Sequence, residues 1–452
     1  MSPRLGRDRL SPCVLALAAA LALLSGCAGH AERTKGARTA LDVRNPREAL
    51  KSINEELEVD SEKVLPDDME GDQVLLVLDR ALVLQQLDQF ALSSRDLEAA
   101  DKQIEVLDFS RGSLDDISKY LFSDDSGPYP APTYEKLLIN TMNMMNYLAR
   151  GDLNGARVEA RRFATMQKFI DQHDSHGASL SGPGSYLAGF TFEKSGDAAE
   201  ALRFYDEALQ QGSFQSLRDP LARLAVLNSY RTPRITALLG SPAPTPDPAD
   251  TSGEVLVVIN YGRVPAKIAK RVPIGLALTI ASSYISPNDA SKANYLAAQG
   301  LVTWVNYPTL GKPRGEYGIP ELYVDDQPRS LEGMLAVDIE AAREWKSVEG
   351  AIVASAITRM ITRIVAGEAT RQATGGGVVG ALLSLGTQAT MTAVDTPDTR
   401  SWATLPARIA FGRVRLPPGR HTFRLRARGL EKKQVIDLRQ NGFAVIPLTV
   451  LW

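Results

Sequence analysis

Cysteine is nearly absent from this chain of 452 residues. The two cysteines are Cys13 and Cys27, so residues 28–452 contain no thiol. Disulfides, cysteine nucleophiles and zinc sites with cysteine ligands are therefore excluded from that long part of the chain. Its fold must be stabilised by packing, hydrogen bonds and ion pairs alone.

Histidine is scarce as well, with four copies at His30, His173, His176 and His421. None lies in a recognisable catalytic pattern, which leaves little material for a histidine base. His173 and His176 flank Asp174 and could ligate a metal ion from one helical turn. A closed metal site needs further ligands, and no pattern in the sequence supplies them.

Other catalytic signatures are incomplete. The glycine run at residues 375–377 lacks the Gly-Lys-Ser/Thr end of a phosphate loop, and Ser181 and Ser185 lack a nucleophile elbow. The overall charge of -2, with 44% hydrophobic and 23% charged residues, describes an ordinary globular protein of two or three domains. We therefore predict no enzymatic activity, no metal, no cofactor and no nucleic-acid partner.

The N-terminus carries the most informative pattern. Three arginines precede an apolar run over residues 14–24, which ends in the sequence LSGC at Cys27. This order resembles the signal peptide and lipobox of a bacterial lipoprotein precursor, which is cut before the cysteine. We predict a signal peptide over residues 1–26 and a lipid on Cys27. An ordinary signal peptide and a transmembrane anchor are alternatives, although the run is short for a bilayer of about 30 Å.

A lipid on Cys27 would attach the mature chain to a membrane without insertion of protein. By resemblance to the sorted lipoproteins of double-membrane bacteria, Ala28 in place of aspartate favours the outer membrane. We expect the chain to lie in the cell envelope and to face the periplasm. Residues 27–46 are predicted to be the lipidated cysteine and a small, polar tether.

Residues 47–240 show helical periodicity and are predicted to form a helical-repeat domain. Residues 186–211 are similar to one tetratricopeptide repeat, with landmarks at Gly189, Phe192, Gly196, Ala201, Tyr205 and Ala208. A weaker copy has its turn at Gly151, which lies 45 positions before Gly196. Repeats of this kind usually bind peptides or other proteins, although two copies could also form a plain helical platform.

A proline-rich linker over residues 241–253 is predicted to separate the helices from a mixed α/β region over residues 254–397. In that region residues 254–260, 304–307 and 322–325 are predicted strands, and residues 338–369 a helix. Residues 372–394 carry no charge, and Gly376 and Gly380 have the spacing of helix contacts in membranes. A packed helix is favoured there over membrane or oligomeric insertion, because glutamines and threonines lower the hydrophobicity.

Residues 398–452 are predicted to form a C-terminal β domain, an antiparallel meander or small sandwich. Phe423, Leu425 and Ala427 alternate with arginines, so one face of that strand should be apolar and the other cationic. The arginines Arg424, Arg426 and Arg428 are candidates for binding an anionic partner, and a solvated end-cap without a ligand is the alternative.

A family resemblance rests on the sequence DTRSW at residues 398–402, LPA at 405–407, and GRH at 419–421. These residues resemble the closing signature of a group of largely uncharacterised bacterial lipoproteins with helical-repeat N-terminal halves. Residues 253–273 are also similar to that group. The resemblance implies an architecture and an envelope location but no reaction. Arg400 and Trp402 are candidates for partner binding, and a structural role for both is favoured.

Taken together, the patterns predict an α+β protein with a helical-repeat domain, a mixed α/β region and C-terminal β structure. The predicted function is that of a lipid-anchored, non-enzymatic scaffold or assembly factor whose helical repeats bind envelope proteins. One alternative is an oligomeric envelope or secretion component that associates through residues 350–394. A cell-wall enzyme with an unreadable carboxylate site is a weaker alternative.

Overall fold

The N-terminal half of the chain is helical. A computed structural model describes residues 30–69, 71–111, 129, 131–173, 180–241, 245–247, 249–300, 302, 304–314, 317–373 and 397–452. The helices of this half are α1 (His30–Arg33), α2 (Lys35–Asp42), α3 (Pro46–Glu56), α4 (Gln73–Gln86), α5 (Phe90–Arg111), α6 (Thr133–Ala149), α7 (Leu153–His173), α8 (Gly182–Lys194), α9 (Ala198–Gln211), α10 (Arg218–Leu227) and α11 (Pro233–Leu239). The predicted lipid site at Cys27 lies outside the described residues.

The predicted helix pair at residues 186–211 is present as the antiparallel hairpin of α8 and α9. Gly196 makes the turn with a φ of 82°, and the Asp197 side chain caps α9 by accepting the Glu200 N–H at 3.2 Å. A Cβ on Gly189 would lie 2.4 Å from the ring of Tyr205. The two helices therefore approach closely at the small residue that the pattern identified. A second hairpin joins α6 and α7 through Gly151, whose φ is 71°.

From residue 30 onwards, the segment predicted to be a tether is helical and packed. Residues 30–33 and 35–42 are the helices α1 and α2, and Ala37, Ala40 and Leu41 are buried on one face of α2. These three positions have the i, i+3, i+4 spacing of a packed helix. The folded body therefore already includes His30, which lies inside the segment predicted to be a tether.

The mixed α/β and C-terminal regions are built together. Their elements are β1 (Gly253–Tyr261), β2 (Lys267–Pro273), α12 (Ile274–Ile280), α13 (Pro287–Ala298), β3 (Trp304–Leu310), β4 (Glu321–Val324), β5 (Gln327–Arg329), β6 (Glu332–Ala336), α14 (Val337–Ala373), β7 (Arg408–Leu416), β8 (Gly419–Ala427), β9 (Leu430–Leu438) and β10 (Phe443–Val450). The strand orders are β10-β1-β7-β6, β2-β3 and β5-β4-β8-β9. The protein is thus α+β, as predicted.

The C-terminal strands are present and mainly antiparallel, but their pairing is not that of a single meander. The hairpin β8–β9 joins β4 and β5, whereas β7 and β10 lie on either side of β1, with β10 parallel to it. The physical reason is the burial of β1, all of whose residues are buried. A strand that is apolar on both faces needs a partner on each edge and a layer on each face.

The core lies in two layers on either side of β1. Leu256 and Val258 pack with the helices, while Val255, Val257 and Ile259 face the second four-stranded sheet and its buried Phe423 and Leu425. A helical layer, a central sheet and an outer sheet follow each other in this order. The small sandwich expected for residues 398–452 therefore also takes strands from the preceding region.

A smaller unit holds β2 and β3 against α12, α13 and α14. The helix predicted over residues 338–369 is confirmed as α14. Gly376 and Gly380, on which the prediction of helix contacts rested, lie outside the described residues. Within the described ranges, no helix combines the length and the apolar character that a membrane span requires.

Candidate functional site

Arg400 and Trp402, two of the predicted partner-binding residues, are buried. Their exposed fractions are 0% and 1%. Arg400 Nη2 lies 2.9 Å from Asp398 Oδ2, and the backbone N–H of Trp402 donates to the Glu135 carboxylate at 3.1 Å. Both residues lie where the segment before β7 meets the helical layer. Their position favours the structural role over direct contact with a partner.

Arg424 and Arg426 of β8 lie on the face opposite the buried Phe423, Leu425 and Ala427, as the alternation predicted. Arg428 follows the strand, in the turn to β9, where its φ is 48°. Each of the three arginines has an intramolecular partner. Arg424 lies 3.1 Å from Asp326, Arg426 pairs with Glu431, and Arg428 stacks over the ring of Tyr317. Only Arg426 among these three has a side chain that is nearly half exposed, at 46%. Acidic neighbours thus offset the charges of Arg424 and Arg426 on this face.

Buried acids connect the helical layer to the segment before β7. The Asp79 carboxylate on α4 accepts the backbone N–H of Thr404 at 2.8 Å and the Thr404 hydroxyl at 2.9 Å. Burial raises the pKa of Asp79 to about 7. Glu135 on α6 accepts the Tyr129 hydroxyl at 2.6 Å, and burial raises the pKa of its carboxyl too. We call Asp79, Glu135, Trp402 and Thr404 the polar junction.

His30 contacts this polar junction from the first described helix. Its imidazole is 1% exposed, and its nitrogens lie 3.8 Å from Asp72 Oδ2 and 3.9 Å from Asp79 Oδ2. These distances are too long for hydrogen bonds. Neither ring nitrogen has a hydrogen-bond partner among the residues that the structure describes. Burial and the charge of Arg33 lower the pKa of His30 to about 3, so the ring is neutral at neutral pH.

A cavity of about 230 Å³ lies beside the polar junction, and Ala403 forms part of its wall. Four cationic side chains line it, and we call this cavity the cationic pocket: Arg38, Arg263, Lys312 and Arg314. Val264 and Ile268 add an apolar wall. The lining comes from α2, from β2 and the chain that precedes it, from the chain after β3, and from the segment before β7.

Positive charge exceeds negative charge in the cationic pocket. Asp42 pairs with both Arg263 and Arg314. The Arg263 side chain is 2% exposed, and burial, together with the charges of Arg314 and Arg38, lowers its pKa to about 10. Burial and Arg314 also lower the pKa of Arg38. Cations that lower each other's pKa create a field that attracts an anion.

Sequence reasoning did not find the cationic pocket. Arg38 and Arg263 are separated by 225 positions, and no motif joins them. A weak signal is present at Arg263, because a charged residue two positions after a fully buried strand must lie at the end of a sheet. The metal hypothesis of His173 and His176 rests partly on residues outside the described ranges. No group of three or more metal-binding side chains occurs among the residues with a described placement.

No known family model matches the chain, and no curated protein is significantly similar to it in sequence. The resemblance to helical-repeat lipoproteins therefore stays a hypothesis that rests on the sequence signatures alone.

Proposed function

We propose that this chain is a lipid-anchored protein of the cell envelope that acts as a non-enzymatic scaffold for partner proteins. The observation that carries the proposal is the distance along the chain between the lipobox and the fold. His30, three residues after Cys27, is already buried against Asp72 and Asp79. Three residues span at most about 11 Å, so a lipid on Cys27 would hold the folded body directly at a membrane surface.

The helical half can contribute to such a scaffold through its outer surface. Its inner side packs on the central sheet, because Leu256, Val258 and Phe411 share one core with the helices. On α7, Val158 and Phe169 are 49% and 51% exposed. They are eleven positions apart and lie on the same face of the helix. We propose this outer face of α7, rather than a concave groove, as the contact for an envelope protein.

Lipidation is tested by metabolic labelling of growing cells with a radioactive fatty acid. The wild-type chain should take up label and sediment with membranes. Cys27→Ser should take up none and should remain an uncleaved precursor or change compartment. A wild-type chain without label, or a variant with as much label as the wild type, contradicts the anchor.

Partner binding is tested by photo-crosslinking in cells, with a crosslinking amino acid at Val158 or Phe169. Ile319, which is 74% exposed, is the control position outside the helical half. The scaffold proposal predicts the same crosslinked protein from both α7 positions and a different pattern from the control. Crosslinks between two copies of this chain from Val365 on α14 would instead favour the oligomeric component that associates through residues 350–394.

A further inference from the structure

The cationic pocket lies close to the predicted anchor. Arg38 lines the pocket and donates from Nη2 to the backbone carbonyl of Ala31, four positions after Cys27. Four residues span at most about 14 Å. Whatever surface holds Cys27 is therefore within reach of the pocket.

The polar lining selects an oxyanion. Arg263 lines the pocket from its buried side, and its guanidinium also donates to Asp42 and to the backbone carbonyl of Arg38. Lys312 and Arg314 lie at the exposed rim. Guanidinium groups bind phosphoryl oxygens in pairs of parallel hydrogen bonds, and a lysine adds a point charge. Asp42, Asp79 and Glu32 act on these arginines as negative charges, but the four cations of the lining still outnumber them, so a phosphoryl group is the ligand chemistry that fits the lining.

The apolar wall distinguishes an organic phosphate from a free ion. Val264 forms part of the wall, and Ile268 lines the pocket while its side chain remains 45% exposed. The volume of about 230 Å³ is below the roughly 300–1,000 Å³ of pockets that enclose drug-sized ligands. The pocket can therefore hold a head group and its phosphate while the remainder of an amphiphilic molecule stays outside.

We propose that the cationic pocket binds the phosphodiester group of a membrane phospholipid, with the arginines on the phosphoryl oxygens and Ile268 beside the glycerol and first methylene groups. This inference rests on the proposed anchoring, which brings the pocket to a bilayer. Basic pockets at membrane surfaces bind lipid head groups in this manner. The lipid anchor and the pocket would then fix the orientation of the folded body through two separate contacts.

The test is a calorimetric titration of the chain from residue 27 to residue 452 with Cys27→Ser, which retains every residue that the structure describes. Short-chain phosphatidylglycerol below its micelle concentration is the lipid probe. Inorganic phosphate and short-chain diacylglycerol supply the phosphoryl group and the apolar part separately. Because this chain carries no lipid, its binding is independent of whether Cys27 is modified in cells.

The rim variant Lys312→Gln/Arg314→Gln should bind phosphatidylglycerol at least about tenfold more weakly, since each cation near a phosphate contributes about fivefold. Arg329→Gln/Arg343→Gln removes two exposed arginines away from the pocket and should change affinity by less than about twofold. Ile268→Ser should weaken phosphatidylglycerol binding and leave phosphate binding unchanged.

Three results would overturn the proposal. The first is no binding of phosphatidylglycerol by the wild type, and the second is equal weakening in the rim and control variants, which indicates a general charge effect. The third is inorganic phosphate that binds as tightly as the lipid together with an inert Ile268→Ser, which assigns the pocket to a free ion. Unlabelled Cys27 in cells with intact lipid binding would refute the anchor alone.

Discussion

The Asp79 carboxylate on α4 accepts the backbone N–H of Thr404, a residue 325 positions later in the chain. The Thr404 hydroxyl donates to the same oxygen of Asp79 at 2.9 Å. Both residues are buried, so the Asp79 carboxylate cannot bond to bulk water, and Thr404 supplies its hydrogen bonds instead. The helical layer and the central sheet are thereby fixed to each other by hydrogen bonds as well as by apolar packing.

The wild type should lose stability as the pH rises, because Asp79 ionises, and Asp79→Asn should not show this loss. Burial raises the pKa of Asp79 to about 7, so the folded chain favours the protonated acid. This contribution to stability is complete below about pH 4 and is lost as the pH rises through about 7. Asp79→Asn keeps an acceptor for Thr404 and cannot ionise.

We therefore expect the melting temperature of Asp79→Asn to rise relative to that of the wild type by a few degrees between about pH 5 and pH 8. Circular dichroism during thermal unfolding provides the measurement. Asp247→Asn, at an exposed position, controls for the loss of one carboxylate. A constant difference across this pH range would show that Asp79 is ionised throughout.

His30 should produce the opposite pH trend. Burial and Arg33 lower the pKa of His30 to about 3. The contribution of the neutral ring to folding stability is therefore complete above the ordinary histidine pKa of about 6.5, and it is lost as the pH falls towards 3. The stability difference between the wild type and His30→Gln should therefore decrease from about pH 6.5 to pH 4.

His421→Gln is the matched control, because a hydrogen bond with Asp325 raises the pKa of His421. The contribution of His421 to folding stability is complete below the ordinary histidine pKa and is lost as the pH rises through the raised value. Thermal unfolding of both variants should thus show pH trends of opposite sign. Parallel trends would mean that the His30 ring is charged in the folded chain.

Removal of Arg413 should be strongly destabilising. Its Nε lies 2.7 Å from Glu254 and its Nη2 lies 2.7 Å from Glu193, and the arginine side chain is 2% exposed. Arg413→Met leaves two buried carboxylates without their main cation, for which about 3–5 kcal/mol is expected. Arg415→Met, two positions along the same strand, removes a more exposed pair with Asp250 and should be much less destabilising, because solvent screens that pair. Urea unfolding of the two variants tests the difference, and similar midpoints would contradict it.

Two helical glycines provide a test of the contact between α8 and α9. A Cβ at Gly189 would overlap the Tyr205 ring at 2.4 Å, whereas a Cβ at Gly275 on α12 meets no atom within 4 Å. Gly189→Ala should therefore destabilise the protein by about 1–3 kcal/mol. Gly275→Ala should stabilise it by about 0.4–1 kcal/mol, because alanine loses less backbone entropy on folding. Equal changes in melting temperature for the two variants would contradict the close contact between α8 and α9 at Gly189.

The parts of the fold that could be predicted depend on local patterns. The apolar run of β1, the alternation around Phe423, and the small residues at Gly189 and Gly196 each report their own element directly. The packed helix α2 also has a local signal in Ala37, Ala40 and Leu41, but its small and polar composition favoured a tether.

The parts that could not be predicted depend on contacts between distant positions. Nothing local in β10 indicates that it pairs with β1 rather than with β9, because an apolar strand can add to the edge of either sheet. The cationic pocket is a sharper case, because Arg38, Arg263 and Arg314 come together only after the helices and the central sheet have assembled. Arg400 and Trp402 were identified by their signature, yet only their burial distinguishes a structural role from partner binding.

The parallel pairing of β1 with β10 imposes an order on folding. Glu254 pairs with Phe443, so 189 positions of chain must emerge before the central strand acquires its second neighbour. Until then β1 presents an apolar strand with an open edge, which is a template for aggregation. A chain shortened before Phe443 should consequently fail to yield a smaller folded protein, because β10 closes the edge of the sheet to which β1 belongs.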